Sequence, residues 1–195
     1  MGRIFYLMGK SSSGKDTIYQ KLLADKELNL KTAVLYTTRP IREGEIDGLT
    51  YHFIEEKELL RLQKENKVIE VRAYNTIKGI WYYFTVDDGQ FSEDREDILM
   101  IGTLESYEKM KKYFKDRVVP IFITLDDGER LIRAIRREQQ QKEPVYAEVC
   151  RRFLADEEDF SIANIEKNQI YQMFENDNLE NCINCVKEFI KNNIT

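Results

Sequence analysis

The sequence predicts an α/β protein: a parallel sheet flanked by helices, with a small β-rich insertion and a short polar lid. Three observations carry this. Apolar strands alternate with helices along most of the chain, which is the pattern of a parallel sheet covered on both faces. The first apolar run, Ile4-Phe5-Tyr6-Leu7-Met8, leads directly into the glycine-rich stretch Gly9-Lys10-Ser11-Ser12-Ser13-Gly14-Lys15-Asp16-Thr17 and then into a helix. Between residues 51 and 86 the alternation stops, and β-branched and aromatic residues at period two replace it.

Taken in order, residues 3–8 read as a buried strand and 15–24 as a helix, with Ile18, Leu22 and Leu23 at helical spacing. A second strand is expected over 31–36, followed by loop chemistry around Pro40, Gly44 and Gly48. A short strand at 51–54 and a helix at 55–65, apolar at Leu59, Leu60 and Leu62, open the insertion, and 68–74 and 80–86 form an antiparallel pair. The alternation then resumes: strand 98–101, helix 104–114, strand 118–124 and a basic helix at 128–138 carrying Arg130, Arg133, Arg136 and Arg137. A polar break at 139–144, a helix at 146–161, a last core strand at 171–174 and a helix at 178–191 complete the chain. The core is therefore expected over 1–35, 87–136 and 147–195, the inserted lobe over about 36–86 and the lid over about 137–146.

The 195 residues suit one domain, and 42% hydrophobic content supports a real core. A formal net charge of −5 argues against a nucleic-acid partner. No apolar run approaches the roughly 18 residues that would span a membrane. The first strand's position leaves no room for a signal peptide. An odd count of three cysteines points to reduced thiols, so a cytoplasmic protein is expected, as monomer or homodimer. Cys182 and Cys185 have Cys-x-x-Cys spacing but fall within a helix with no histidine nearby, which reads as packing. His52, the one histidine, also reads as packing or a hydrogen-bond donor in the inserted lobe.

The loop at 9–17 is a Gly-x4-Gly-Lys phosphate loop in its proper place between strand and helix. Gly9 and Gly14 let successive N–H groups turn inward, and the helix adds its positive N-terminal end. Lys10, Ser11, Ser12 and Ser13 form the turn, and Lys15 reaches the outer phosphates as a mobile point charge. The position after the lysine is ordinarily Ser or Thr, whose hydroxyl binds Mg²⁺; here it is Asp16, with Thr17 next. Asp16, directly or through water, is the candidate metal ligand, and Thr17 the second. Farther on, Arg39 and Arg42 place two planar bidentate donors on a loop stiffened by Pro40, with Glu45 able to brace one of them and Tyr51 adding a phenol. A phosphate loop, a β-rich insertion and a basic lid give a kinase-like layout, one lobe for an acceptor and the other closing over phosphates.

Residues 37–53 fill every position of Thr-Thr-Arg-x-x-Arg-x-Gly-Glu-x-x-Gly-x-x-Tyr-x-Phe. The stretch resembles the guanylate kinase family, and the likeness runs over nearly the whole chain. It implies a P-loop NTPase-type fold with a nucleoside monophosphate-binding insertion, ATP as phosphoryl donor, Mg²⁺, and GMP or dGMP as acceptor. It further implies that Arg39, Arg42 and Tyr51 grip the GMP phosphate, that Glu70 accepts hydrogen bonds from the guanine edge, and that Tyr82 matches an aromatic of the acceptor site. Arg152 would close onto the phosphates with Arg133 and Arg137, leaving Arg130 and Arg136 on a solvated face. Asn176, in Phe174-Glu175-Asn176-Asp177, would lie beside adenine.

The likeness thins on the base side. Tyr83 stands where the family has a glycine, Met100 and Gly102 where it has Asp-x-Asp, and Leu35 where it often has a serine; the segment 73–78 is longer than usual. Phosphate-side positions survive and base-side ones change, so base selectivity stays open. Other acceptors, another nucleotide or ribose 1,5-bisphosphate, and a non-catalytic protein-binding module are the alternatives.

Overall fold

The computed structural model describes residues 2–76, 79–92 and 96–194. Five strands make one parallel sheet: β1 (Ile4–Met8), β2 (Lys31–Thr32), β7 (Ile98–Ile101), β8 (Val118–Thr124) and β9 (Met173–Glu175), in the order β2-β7-β1-β8-β9. β1 lies at its centre, and all five of its residues are buried. Alternation along it divides the core in two. Phe5 and Leu7 pack with Ile18 and Leu22 of α1 (Lys15–Ala24) and with Cys182, Val186 and Ile190 of α7 (Leu179–Asn193). Ile4, Tyr6 and Met8 pack on the other face with Leu104, Tyr107 and Met110 of α3 (Leu104–Phe114) and with Phe160 and Ile165. Burial pushes the Cys182 thiol up to about 11, in keeping with a packing role.

The second sheet has four strands in the order β4-β3-β6-β5: β3 (Tyr36–Thr37), β4 (His52–Phe53), β5 (Val68–Thr76) and β6 (Gly79–Val86). β5 and β6 are antiparallel. The helix α2 (Glu56–Lys64) covers it through Leu59 and Leu62, which meet Phe84 and Val86. Lys109 of α3 donates to the Val71 carbonyl at 3.1 Å, tying this sheet to the core. Part of the longer-than-usual segment at 73–78 lies outside the described residues.

Two expectations need correction. The strand expected at 31–36 is two pieces, β2 on the edge of the first sheet and β3 inside the second between β4 and β6, because the chain crosses from core to insertion between them. The helix expected at 146–161 stops earlier: α5 (Tyr146–Asp159) ends where Phe160 turns in to stack on Phe122, with ring centroids 5.2 Å apart, and an unforeseen short α6 (Ile162–Lys167) follows. The basic helix α4 (Asp127–Gln139) runs between β8 and the polar break. Among the described residues, no helix is long and apolar enough to cross a membrane.

Candidate active site

The loop after β1 turns through two left-handed residues, Ser12 (φ 62°) and Gly14 (φ 88°). At Gly14 a side chain would collide with Asn176, and at Gly9 a Cβ would lie 2.5 Å from the Ile123 carbonyl oxygen, so both glycines are needed for close approach. Asn176 is buried at the end of β9; its backbone N–H donates to Thr124 O at 2.9 Å and its Nδ2 to Ser13 O at 2.7 Å. Asn176, expected beside adenine, also braces the loop from beneath.

Lys15 opens α1 with its side chain 20% exposed, its ammonium 3.6 Å from the outward-facing Asp16 carboxylate. Thr17 is also exposed, about 100° further round the helix. Among the described residues, no group of three acidic, histidine or cysteine side chains could hold a metal by itself. Asp16 and Thr17 therefore suit an ion that keeps water and phosphate oxygens as most of its ligands, the habit of Mg²⁺.

Lys10 directs its ammonium away from the turn, to Glu157 at 2.6 and 2.7 Å and Asp127 at 3.5 Å. The Ser11 N–H donates to Asp156 Oδ2 at 2.7 Å. Between these carboxylates lies Arg130, and here the sequence reading fails. It left Arg130 on a solvated face, whereas the residue is 1% exposed. Its guanidinium donates to Asp127 at 2.9 and 2.6 Å, to Glu157 at 2.7 Å and to the Ser11 carbonyl at 3.2 Å, and lies over the Phe153 ring at 4.7 Å. Arg130 thus locks α4, α5 and the loop together, while Arg136 is exposed as expected.

The three arginines expected to close the site divide. Arg133, held by Glu129 at 3.0 Å, brings Nη1 to 3.9 Å from where a Gly14 Cβ would stand. Arg137 and Arg152 line a cleft of about 730 Å³ between α4 and α5 that reaches Ser11 and Asp156. Arg152 donates to Glu148 at 2.8 Å, and hydrogen bonds from Arg151 and Arg152 hold the Glu148 carboxyl down to about 2.

On the second sheet Arg39 is 4% exposed. Glu45 takes it in a fork at 2.7 and 2.5 Å, the Pro40 carbonyl takes another N–H at 3.0 Å, and the rings of Tyr51 and Phe53 sit 5.2 and 5.1 Å from its carbon centre. The hydrogen bonds from Arg39 hold the Glu45 carboxyl down to about 2. Arg42 is exposed; its backbone N–H reaches Glu45 at 2.8 Å. Burial raises the Tyr51 phenol.

Period two decides the next pair. Tyr82 lies with Phe84 and Val86 on the face that packs against α2, so it does not join Arg39. Tyr83, one residue on, faces the other way and meets Tyr51 edge-on at 5.8 Å. Tyr83 rather than Tyr82 thus stands on the Arg39–Tyr51 face, and the apolar alternation of β6 carried the signal. Glu70 is buried, accepting from Thr85 Oγ1 at 2.8 Å and from Arg72 at 3.1 and 3.2 Å. Arg72 was missed by the sequence reading, although it stands two residues along the same strand face. Burial lowers its guanidinium, and the Glu70 carboxylate with the Tyr6 and Tyr74 phenols outweighs that and raises it. Nearby, Tyr6 pairs its hydroxyl with Ser106 Oγ at 2.5 Å and occupies the space a side chain at Gly102 would need. An aspartate there would require Tyr6 to move.

Among the described residues, the buried side-chain polar atoms without a partner are Ser12 Oγ, Ser13 Oγ, Asn176 Oδ1 and Arg39 Nε. Three surround the loop and one belongs to the Arg39 guanidinium beside Tyr51 and Phe53. Buried polar atoms are ordinarily satisfied, so orphans in two such places make both candidate ligand sites.

The parallel sheet and the loop after its central strand define a P-loop α/β protein. The guanylate kinase family model matches residues 1–193, and the chain belongs to that family. A guanylate kinase of Caldanaerobacter subterraneus is 31% identical over 153 residues, covering 78% of this chain and 70% of that protein. One from Porphyromonas gingivalis is 28% identical over 125 residues, 63% of this chain and 65% of that one. The chain spans a little under two thirds of several such relatives, 63% for that of Bartonella henselae. The crystal structure of guanylate kinase from Anaplasma phagocytophilum superposes with a TM-score of 0.67 at 20% identity, covering 100% of this chain and 87% of that one, a likeness of fold.

Proposed function

We propose that the protein transfers the γ-phosphoryl group of ATP to a nucleoside monophosphate, GMP or dGMP, giving the diphosphate. The observation that carries this is Arg39. Three of its five N–H donors are taken by Glu45 and Pro40, which fix the plane of the guanidinium, while the buried Nε keeps no partner. A guanidinium fixed in place with donors to spare is preorganised for an acceptor phosphate. Arg42 and Tyr51 complete the grip, and Glu70 takes the base.

On the donor side the loop N–H groups from residue 12 onward, apart from that of Ser13, which donates to Lys10 O at 3.3 Å, together with the α1 N-terminus and Lys15 hold the ATP phosphates. Asp16, directly or through water, and Thr17 are the side chains that would hold a Mg²⁺ ion entering with ATP, and that ion would supply neutralisation of phosphate charge. Arg133, Arg137 and Arg152 come onto the transferring group as the lid at about 137–146 closes on the core and the lobe at about 36–86 brings the acceptor forward. No general base is required, because the attacking phosphate oxygen is already anionic; positioning and charge neutralisation supply the rate. The reaction suits a cytoplasmic enzyme with no membrane or nucleic-acid partner.

An ADP-release assay over a panel of acceptors tests the reading. GMP or dGMP is expected to be the best substrate. Preference for ribose 1,5-bisphosphate would replace the acceptor, and ATP binding without turnover of any acceptor would leave a binding module.

A further inference from the structure

The base-facing side of the second sheet is where the chain departs from the family pattern, and it holds a charge that no role above uses. Glu70 and Arg72 lie on one face of β5, opposite Thr85 and Tyr83 of β6 in register. A carboxylate has about four acceptor positions. Thr85 Oγ1 fills one on Glu70 Oε1 at 2.8 Å, Arg72 Nη2 a second at 3.2 Å, and Arg72 Nε one on Oε2 at 3.1 Å. One position on Oε2 is left. Guanine brings two adjacent donors, N1–H and N2–H₂, so Glu70 as it stands can receive only one of them.

Arg72 changes what the pocket offers. Two of its five N–H groups are spent on Glu70, and the others remain, both of those on Nη1 among them. Its side chain is 13% exposed, and the Tyr6, Tyr51 and Tyr74 phenols lie close enough to feel its charge or act on it. Across the sheet Arg72 stands opposite Tyr83, whose ring meets Tyr51 at 5.8 Å, which sets it on the Arg39–Tyr51 side of the sheet. Its distances to Glu70 exceed the roughly 2.7–2.9 Å of a tight charge-assisted bond, so the pair is loose enough to admit a third partner. The pocket therefore presents a donor beside an acceptor. A 6-oxopurine presents the complement, an O6 acceptor beside an N1–H donor, and adenine presents the reverse, an N6 donor beside an N1 acceptor. Arginine donating to O6 is a recurrent way of reading guanine.

Resting on the acceptor reading above, we propose that Arg72 donates to the 6-oxo group of the acceptor base while the remaining Glu70 position takes N1–H. Arg72 is then the residue that selects 6-oxopurine monophosphates. It supplies on β5 the discrimination that Leu35, Met100 and Gly102 cannot.

The test is Arg72→Met, assayed with GMP, IMP and AMP by kcat/KM, and by competition binding where turnover is slow. IMP keeps O6 and N1–H and lacks only the 2-amino group. GMP and IMP should lose about tenfold to a hundredfold together, the worth of one hydrogen bond from a charged group, while AMP holds or improves. A common loss for all three acceptors would make Arg72 a mere counter-ion for Glu70, and no loss would make it idle; either overturns the proposal. If Arg72→Met fails to fold, Arg72→Gln is read the same way, since it keeps an N–H for Glu70 but is too short to reach the base as well. Wild-type protein that turns over none of the three refutes the acceptor reading itself. Wild-type turnover of GMP with an unchanged GMP-to-AMP ratio in the variant refutes Arg72 alone.

Discussion

The two candidate phosphate sites are built differently. The loop at 9–17 is a backbone structure whose shape is held from behind by Asn176, Asp156 and Arg130, contacts between residues more than a hundred positions apart. The Arg39 site is a side-chain structure on a short loop, held by a glutamate six residues away and two aromatic rings. A backbone cradle depends on small residues and buried braces, and it tolerates change wherever a side chain merely points outward. A side-chain grip depends on an ion pair, which one substitution or a change of pH removes.

The contrast can be broken at either end. The largest effect is expected for Lys15→Ala, which removes the mobile charge without touching the cradle. Turnover should fall on the order of 10³-fold or more, with the thermal midpoint nearly unchanged because Asp16 at 3.6 Å is a weak partner. Arg130→Met attacks the brace. It leaves Asp127, Asp156 and Glu157 without their guanidinium, so urea unfolding should show a loss of about 1.5–3 kcal/mol, the worth of charged hydrogen bonds to carboxylates that water partly reaches. An Arg130→Met protein as stable as wild type would mean the brace is ornamental. Arg39→Ala should raise the acceptor KM by about tenfold to a hundredfold and leave the ATP KM alone. If both constants moved together, the two sites would not be separable in the way their construction implies.

How much of this was legible in the sequence follows from the same contrast. The cradle was, because strand, glycines and lysine are contiguous and their geometry is local. The Arg39–Glu45 pair was, because its members are six residues apart. Arg130 was not: on α4 it looks like any arginine of a basic helix, and its buried place comes from distant partners, among them Ser11, 119 residues away, and Glu157, 27 away. Tyr83 was within reach, since Phe84 and Val86 fix which face of β6 is core and so which tyrosine faces out. The loss of a carboxylate at Gly102 was visible, but its reason was not, because Tyr6 and Gly102 meet only once β1 and β7 pair. Local pattern thus announces chemistry carried by backbone, and long-range pairing hides chemistry carried by buried charge.

The smallest expected effect concerns the ion pair itself. The hydrogen bonds from Arg39 hold the Glu45 carboxyl at about 2, against an ordinary 4.5. A depressed carboxyl adds stability that is fully present above 4.5 and lost as pH falls from there through about 2, where the folded state must also take up the proton. Glu45→Gln lacks this contribution at every pH. Its thermal midpoint should therefore sit below that of wild type at pH 7, and the difference should shrink between pH 4.5 and 2 and vanish near the lower end. Carboxylates common to both proteins cancel in the difference, including the Glu148 group on the lid side. A difference that stayed constant down to pH 2 would show that Glu45 stabilises the loop through its hydrogen bond to the Arg42 N–H or through packing. The acceptor grip would then rest on the aromatic rings around Arg39 rather than on charge.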